Sequence, residues 1–259
     1  MARRSLVVRG LQIAGAIVSA IVILGILALF VLSKARPTTG DVAEGQARVE
    51  AIHRAVYLDA WRRTGAVEWT FGGRQEHLWD RERGLSRVRW GEVEVLQRTG
   101  RRVGRVWRDG VEIHGKEREK LVATAWALFI NDSFWLQPFA NLGDEGVITS
   151  VVDWNGEEAL LVEYGGDGGV TPGDAYLWLP GEAAGDPPRA WRMWVQVIPV
   201  GGLYSSWEGW QALSTGAKVA TRHAMGPVTL EMTGVRGATS LEGLYPGEDP
   251  FDALVNWGK

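Results

Sequence analysis

The sequence predicts a mainly antiparallel β fold with two or three helices, in the α+β class: a barrel, half-barrel or sandwich preceded by one transmembrane helix. Three observations lead there. The chain begins with a long apolar run, and a series of short period-two segments separated by turn residues follows. About a dozen such strands must curl or close to hide their edges, and no βαβ alternation offers a parallel sheet instead.

Composition narrows the function classes. With 46% hydrophobic residues and 14 Trp among 259 residues, there is ample material for a core. Each buried Trp removes roughly 150–250 Å² from water, so the rings are either densely stacked or line a ligand site. The absence of cysteine excludes a disulfide framework, a thiol nucleophile, a Cys-ligated zinc and a lipid-modified Cys. Five of the 28 Lys/Arg fall in the first 36 residues, where there is no acid. Residues 37–259 therefore carry 23 basic against 31 acidic groups, a net of −8, which argues against nucleic acid as a partner.

From Leu11 to Leu32 only Gln12 and Ser19 are polar. A helix of that length reaches about 33 Å, enough for a hydrocarbon core of about 30 Å. The run is longer than the apolar region of a cleaved signal, and Ser33-Lys34-Ala35-Arg36-Pro37 makes a poor cleavage site. Residues 1–36 thus read as a retained membrane anchor and 37–259 as a single extracytoplasmic β-rich domain. Arg3, Arg4 and Arg9 outweigh Lys34 and Arg36, which places the amino terminus inside under the positive-inside rule. The expectation is a single-pass protein of the bacterial cytoplasmic membrane with its C-terminal part outside the cytoplasm.

After the turn Pro37-Thr38-Thr39-Gly40, Asp41 with Glu44 forms a capping-box pattern, and Val49, Ile52 and Val56 recur at helical spacing. A helix is expected over 41–63, stopped by Gly65. Val67, Trp69 and Phe71 then alternate with Glu68 and Thr70, and further runs at 77–80, 86–90, 93–96 and 103–108 continue a meander of hairpins. Over Lys116 to Ile130, Glu117, Leu121, Ala125, Leu128 and Phe129 share one helical face, predicting a helix on the sheet. Strands are expected again at 147–153, 159–164, 175–179, 190–198, 204–213, 217–222 and 228–232.

Four tracts resemble an uncharacterised bacterial envelope protein family: His77-Leu78-Trp79-Asp80, Asn131-Asp132-Ser133-Phe134-Trp135-Leu136, Thr171-Pro172-Gly173-Asp174 and Trp191-Arg192-Met193-Trp194. That resemblance covers nearly all of residues 41–250. The order of elements is similar to the periplasmic lipoprotein-carrier superfamily, whose members hold acyl chains in an unclosed β-barrel with helices against its open side. The resemblance implies the fold, a curved half-open β-barrel, more than the activity, and no functional residue is carried across.

No catalytic pattern stands out. There is no GxSxG, Walker loop or GxGxxG, and His53, His77, His114 and His223 are too scattered for a metal motif. No catalytic residue, metal or cofactor is therefore expected. The Trp positions say more. On the strand 190–198, Trp191, Met193, Val195 and Val197 share one face while Arg192, Trp194, Gln196 and Ile198 share the other. If the second face lines a cavity with Trp178 and Trp207 from neighbouring runs, then Trp178, Trp194, Trp207, Arg192 and Asp174 are the candidate ligand-binding residues. Alternatively the rings fill a wide sheet. Arg192, Asp174 and Glu208 are the polar groups among them, and a buried Arg needs an acid or an anionic head group. The leading expectation is a membrane-tethered module for an apolar ligand such as a lipid or acyl chain. The alternatives are an envelope scaffold that binds another protein and a carboxylate-dependent hydrolase using Asp80, Asp132 and Asp174.

Overall fold

The computed structural model describes residues 33–165 and 173–257. The expected membrane helix, residues 11–32, lies outside them, as does most of the glycine-rich loop near residue 168. Among the described residues no helix is long and apolar enough to cross a membrane.

The architecture is mainly antiparallel β with four helices, one or two more than the sequence predicts among the described residues. The first helix begins as expected: Asp41 caps α1 (Val42–Ala55), its carboxylate accepting the Glu44 N–H at 3.0 Å. It does not continue to residue 63. Tyr57 takes the left-handed conformation with φ 53, and a separate short helix, α2 (Leu58–Arg62), follows. The Val56 carbonyl, which an unbroken helix would use internally, instead accepts the Lys218 N–H at 3.0 Å.

Six strands form a meander: β1 (Ala66–Phe71), β2 (Gln75–Asp80), β3 (Leu85–Trp90), β4 (Val93–Arg98), β5 (Gly104–Arg108) and β6 (Val111–Ile113). A long last strand, β15 (Val228–Ala238), pairs with β1 and with β14 (Arg222–Met225), making an eight-stranded sheet in the order β14-β15-β1-β2-β3-β4-β5-β6. The register of β15 on β1 shifts between Glu68 and Thr70, where Gly234 supplies the positive φ of 62 that a bulge needs. A second sheet runs β11-β10-β9-β8-β7, from β7 (Val147–Asp153), β8 (Glu158–Tyr164), β9 (Ala175–Leu179), β10 (Ala190–Trp194) and β11 (Leu203–Ser206). The strand expected at 204–213 is divided between β11 and the first arm of a small hairpin, β12 (Gln211–Ala212), whose second arm, β13 (Lys218–Val219), is shorter than the strand expected at 217–222.

The two sheets meet where β11 lies beside β14. There the Ala224 N–H donates to Ser206 Oγ at 2.9 Å, and His223 Nδ1 lies 3.2 Å from the Ser206 carbonyl. At the far ends β6 and β7 do not pair, so the curved wall stays open. Helix α3 (Gly115–Leu136) lies on the concave side across β3, β4 and β5. Helix α1 packs on β7 so closely that a Cβ on Gly45 would stand 2.4 Å from the Thr149 carbonyl oxygen.

Side-chain parity explains the core. Trp69, His77, Val88, Val95 and Val106 are successive cross-strand partners on β1 to β5, and all are buried beneath α3. The other face of the same strands carries Leu78, Leu85 and Leu96, covered by Phe251 and by Leu254 of α4 (Asp252–Val255). Arg83 holds this C-terminal segment, donating to the two carboxylate oxygens of Asp249 at 2.6 and 2.9 Å.

Helix α3 runs six residues beyond its expected end. Asn131, Asp132 and Ser133 are poor interior helix formers, yet Phe134 and Leu136 bury behind them and Asp132 reaches His77 at 2.7 Å. Pro138 then ends it, opening a short 3-10 turn (Pro138–Asn141).

Candidate functional site

The C-terminal half of α3 and strands β9 and β10 enclose an apolar cleft of about 340 Å³. The helix contributes Trp126, Ile130, Phe134 and Trp135, with Asn131 at the rim; the sheet contributes Tyr176, Trp191 and Met193. Spacing by four puts Trp126, Ile130 and Phe134 in one row on the helix. Strand β10 stops at Trp194, four residues before its expected end, and the chain turns. Val195, Val197 and Ile198 consequently leave the sheet and form one lip of the cleft, where Val197 is 90% exposed.

The floor is a continuous aromatic stack. Trp191 lies under the helix, 4.7 Å from Trp135 and 5.9 Å from Phe134 between ring centres, and 4.7 Å from Tyr176 beside it. Behind it stand Trp178 at 4.9 Å and Trp207 at 5.1 Å. The ring N–H groups of Trp191 and Trp207 are buried without an acceptor, a cost that the packing must offset.

The five sequence candidates divide three ways. Asp174 lines the cleft; its Oδ1 accepts the Gln196 N–H at 2.9 Å, and burial raises its pKa above the usual carboxylate range. Trp178 and Trp207 belong to the second layer of the stack. Arg192 and Trp194 point to the opposite face of β10. There Arg192 donates to the Gly202 carbonyl at 2.8 Å and lies over the Trp154 and Tyr204 rings, while the Trp194 N–H donates to the Lys34 carbonyl at 2.7 Å. Arg192 therefore has no acid partner in Asp174 or Glu208, and Glu208 pairs with Arg222 at 2.6 Å instead. The grouping of Trp178 with Trp194 is corrected by the register: Trp178 is the direct cross-strand partner of Trp191 and shares its face.

The chain that follows residue 32 is fastened next to the cleft's lip. Lys34 N–H donates to the Gly201 carbonyl at 2.9 Å, and Gly201 N–H donates to Ser33 Oγ at 3.0 Å. Residues 33–34 thus sit on the turn that continues from Val195, Val197 and Ile198.

His223 closes the stack on the far side, 4.5 Å from Trp207 and 5.2 Å from Trp135. Desolvation holds its pKa down to about 4, so it is neutral at pH 7, with the Nδ1–H donating to the Ser206 carbonyl. Because the unfolded chain binds this proton near pH 6.5, unfolding takes up a proton between pH 6.5 and 4. Stability is expected to fall by about 3 kcal/mol across that window from this group, and to be fully present above it. His53, lowered chiefly by burial, adds in the same direction. Urea titrations of wild type and His223→Gln between pH 4 and 7 check this; parallel slopes in the two would refute it.

Among solved structures, two neighbours align over most of the chain. One is a DUF1329 family protein from Desulfovibrio piger, 11% identical with a TM-score of 0.37, the match covering 82% of this chain and 97% of that one. The other is a "putative outer membrane lipoprotein-sorting protein domain" from Vibrio parahaemolyticus, 9% identical with a TM-score of 0.35 and coverage of 83% and 99%. No protein-family model matches the chain, and no curated protein does.

Proposed function

We propose that this chain is a non-catalytic envelope module, tethered to a membrane through residues 11–32, that accommodates a lipid or other apolar chain in the cleft between α3 and β9–β10. One observation carries the reading. The cleft is walled almost wholly by aromatic and aliphatic side chains, and beyond the ring N–H and hydroxyl groups its polar side chains are Asn131 and Asp174. Apolar walls with few placed polar groups are the usual make-up of a site for an apolar ligand. A second observation gives the ligand a route: residues 33–34, which follow the expected membrane segment directly, are pinned to the turn beside the exposed lip. A lipid leaving the bilayer along this lip would stay in contact with Val197 and Ile198.

The test uses the full chain extracted from a bacterial host, examined by native mass spectrometry and organic extraction. Ala127 lies exposed on the helical wall of the cleft, so Ala127→Trp fills the space without disturbing the core. Wild type is expected to carry lipid at one per chain and the variant to lose it at an unchanged melting temperature. Equal lipid on both proteins would place binding elsewhere. A lipid-free wild type that yields one defined protein adduct on crosslinking in cells would favour the scaffold reading instead.

A further inference from the structure

The other side of α3 forms a second cleft, of about 260 Å³, against the first sheet and α2. Ile130 and Phe134 wall both clefts, but here the remaining apolar surface comes from Trp61, Trp79 and Phe129. What sets this cleft apart is Arg81. Its guanidinium lies over the rings of Trp61 at 4.4 Å and Trp79 at 5.2 Å. Nη1 donates to the carbonyls of Trp61 and Thr64, both at 2.5 Å. Its Nε is buried with no acceptor, and no carboxylate pairs with it among the described residues.

Arg83, two residues on from Arg81, has Asp80 and Asp249; Arg105 has Glu112; Arg189 has Glu157. Arg81 alone of these four holds its charge against rings and neutral carbonyls. Arg192 has a similar make-up, over Trp154 and Tyr204 with the Gly202 carbonyl and a buried, unmet Nε, but it lines neither cleft. Two carbonyls and two ring faces orient a guanidinium but leave its charge uncompensated, and a desolvated cation of that kind favours an anion. On the same wall the buried Oε1 of Gln137 also finds no donor.

We infer that the cleft between α3, Trp61 and Trp79 is a second binding site, which takes the anionic head of an amphiphile, carboxylate or phosphate, on Arg81 with its chain on Trp79, Phe129 and Phe134. The inference stands apart from the first cleft's occupancy. The charge complement is the ground for it: rings alone would accept any apolar group, whereas Arg81 discriminates by charge.

The experiment photolabels the full chain, held in lipid nanodiscs, with a ten-carbon fatty acid bearing a chain diazirine. The label on peptides containing Trp79 and Phe129 is read by mass spectrometry against four competitors: decanoate, decyl phosphate, decanol and inorganic phosphate. At least one of the two anionic amphiphiles is expected to displace the label at about tenfold lower concentration than decanol. The better of the two identifies the head group as carboxylate or phosphate. Arg81→Gln should level the anionic amphiphile with decanol. Because Arg81 also ties down α2, a second variant leaves it in place: Ser133→Glu puts a carboxylate on the same cleft wall and should abolish the anion's advantage. Displacement by decanol at the same concentration as both anions, by inorganic phosphate as well as by the amphiphiles, or without change in Ser133→Glu, would overturn the inference. Labelling of the first cleft by a diazirine fatty alcohol is read in parallel samples, so failure there is told apart from failure here.

Discussion

Replacing Asp132 with Leu is expected to lower the unfolding free energy by about 1–3 kcal/mol, because it strands the buried N–H of a histidine. His77 and Asp132 meet at 2.7 Å with side chains 0% and 2% exposed. The contact assigns the Nε2–H tautomer to His77, and Asn131 donates to the other carboxylate oxygen at 2.9 Å. His77 stacks on Trp69 with ring centres 4.6 Å apart, so the imidazole has no room to turn toward water. Its Nδ1 already lacks a partner. Removing the carboxylate leaves both nitrogens unmet in an apolar row. The double variant His77→Phe with Asp132→Leu should recover much of the loss, since a buried polar pair exchanged for apolar groups of similar size is often close to neutral. Urea melts of the full chain compare wild type, Asp132→Leu, His77→Phe and the double variant. A double variant as unstable as the sum of the singles would show that the pair is not the unit that matters.

Trp191→Ala should cost more, about 3–5 kcal/mol, for a different reason. Trp191 is 1% exposed and sits at the centre of the stack, with Phe134, Trp135, Tyr176, Trp178 and Trp207 all within 6 Å between ring centres. Its removal opens a cavity that five large rings cannot fill without leaving their own positions. Trp257, 40% exposed, provides the control, and its replacement by Ala should shift stability by no more than about 1 kcal/mol. Equal losses at the two positions would contradict the picture of a stack that carries the stability of the second sheet.

The strands were readable because period two is a local signal. Expected runs at 147–153 and 175–179 coincide with β7 and β9, and the capping box at Asp41 marks the start of α1. What failed was set by partners distant in sequence. Tyr57 breaks the first helix where Val56 bonds Lys218, and α3 outruns Asn131 and Asp132 because His77 lies across from them. The site shows the same division. Trp191 and Met193 were legible as one face of a strand, but which face turns inward depends on register with β9, and a slip of one residue exchanges the two. The sequence pattern put Leu121, Ala125, Leu128 and Phe129 on one face of a helix predicted to stop at Ile130, so the row Trp126, Ile130 and Phe134 that walls the cleft went unread. Arg81 gave no sequence signal at all, since the absence of a carboxylate partner exists only in three dimensions.

The central claim is that the cleft between α3 and β10 holds an apolar chain, and photocrosslinking in the host membrane tests it most directly. Cells expressing the full chain are fed a diazirine fatty alcohol and irradiated, and modified peptides are mapped. Label is expected on peptides containing Ile130, Phe134 and Met193, lost in Ala127→Trp while any label within residues 11–32 persists. Label confined to residues 11–32, or cleft label that survives the filled cleft, would contradict it.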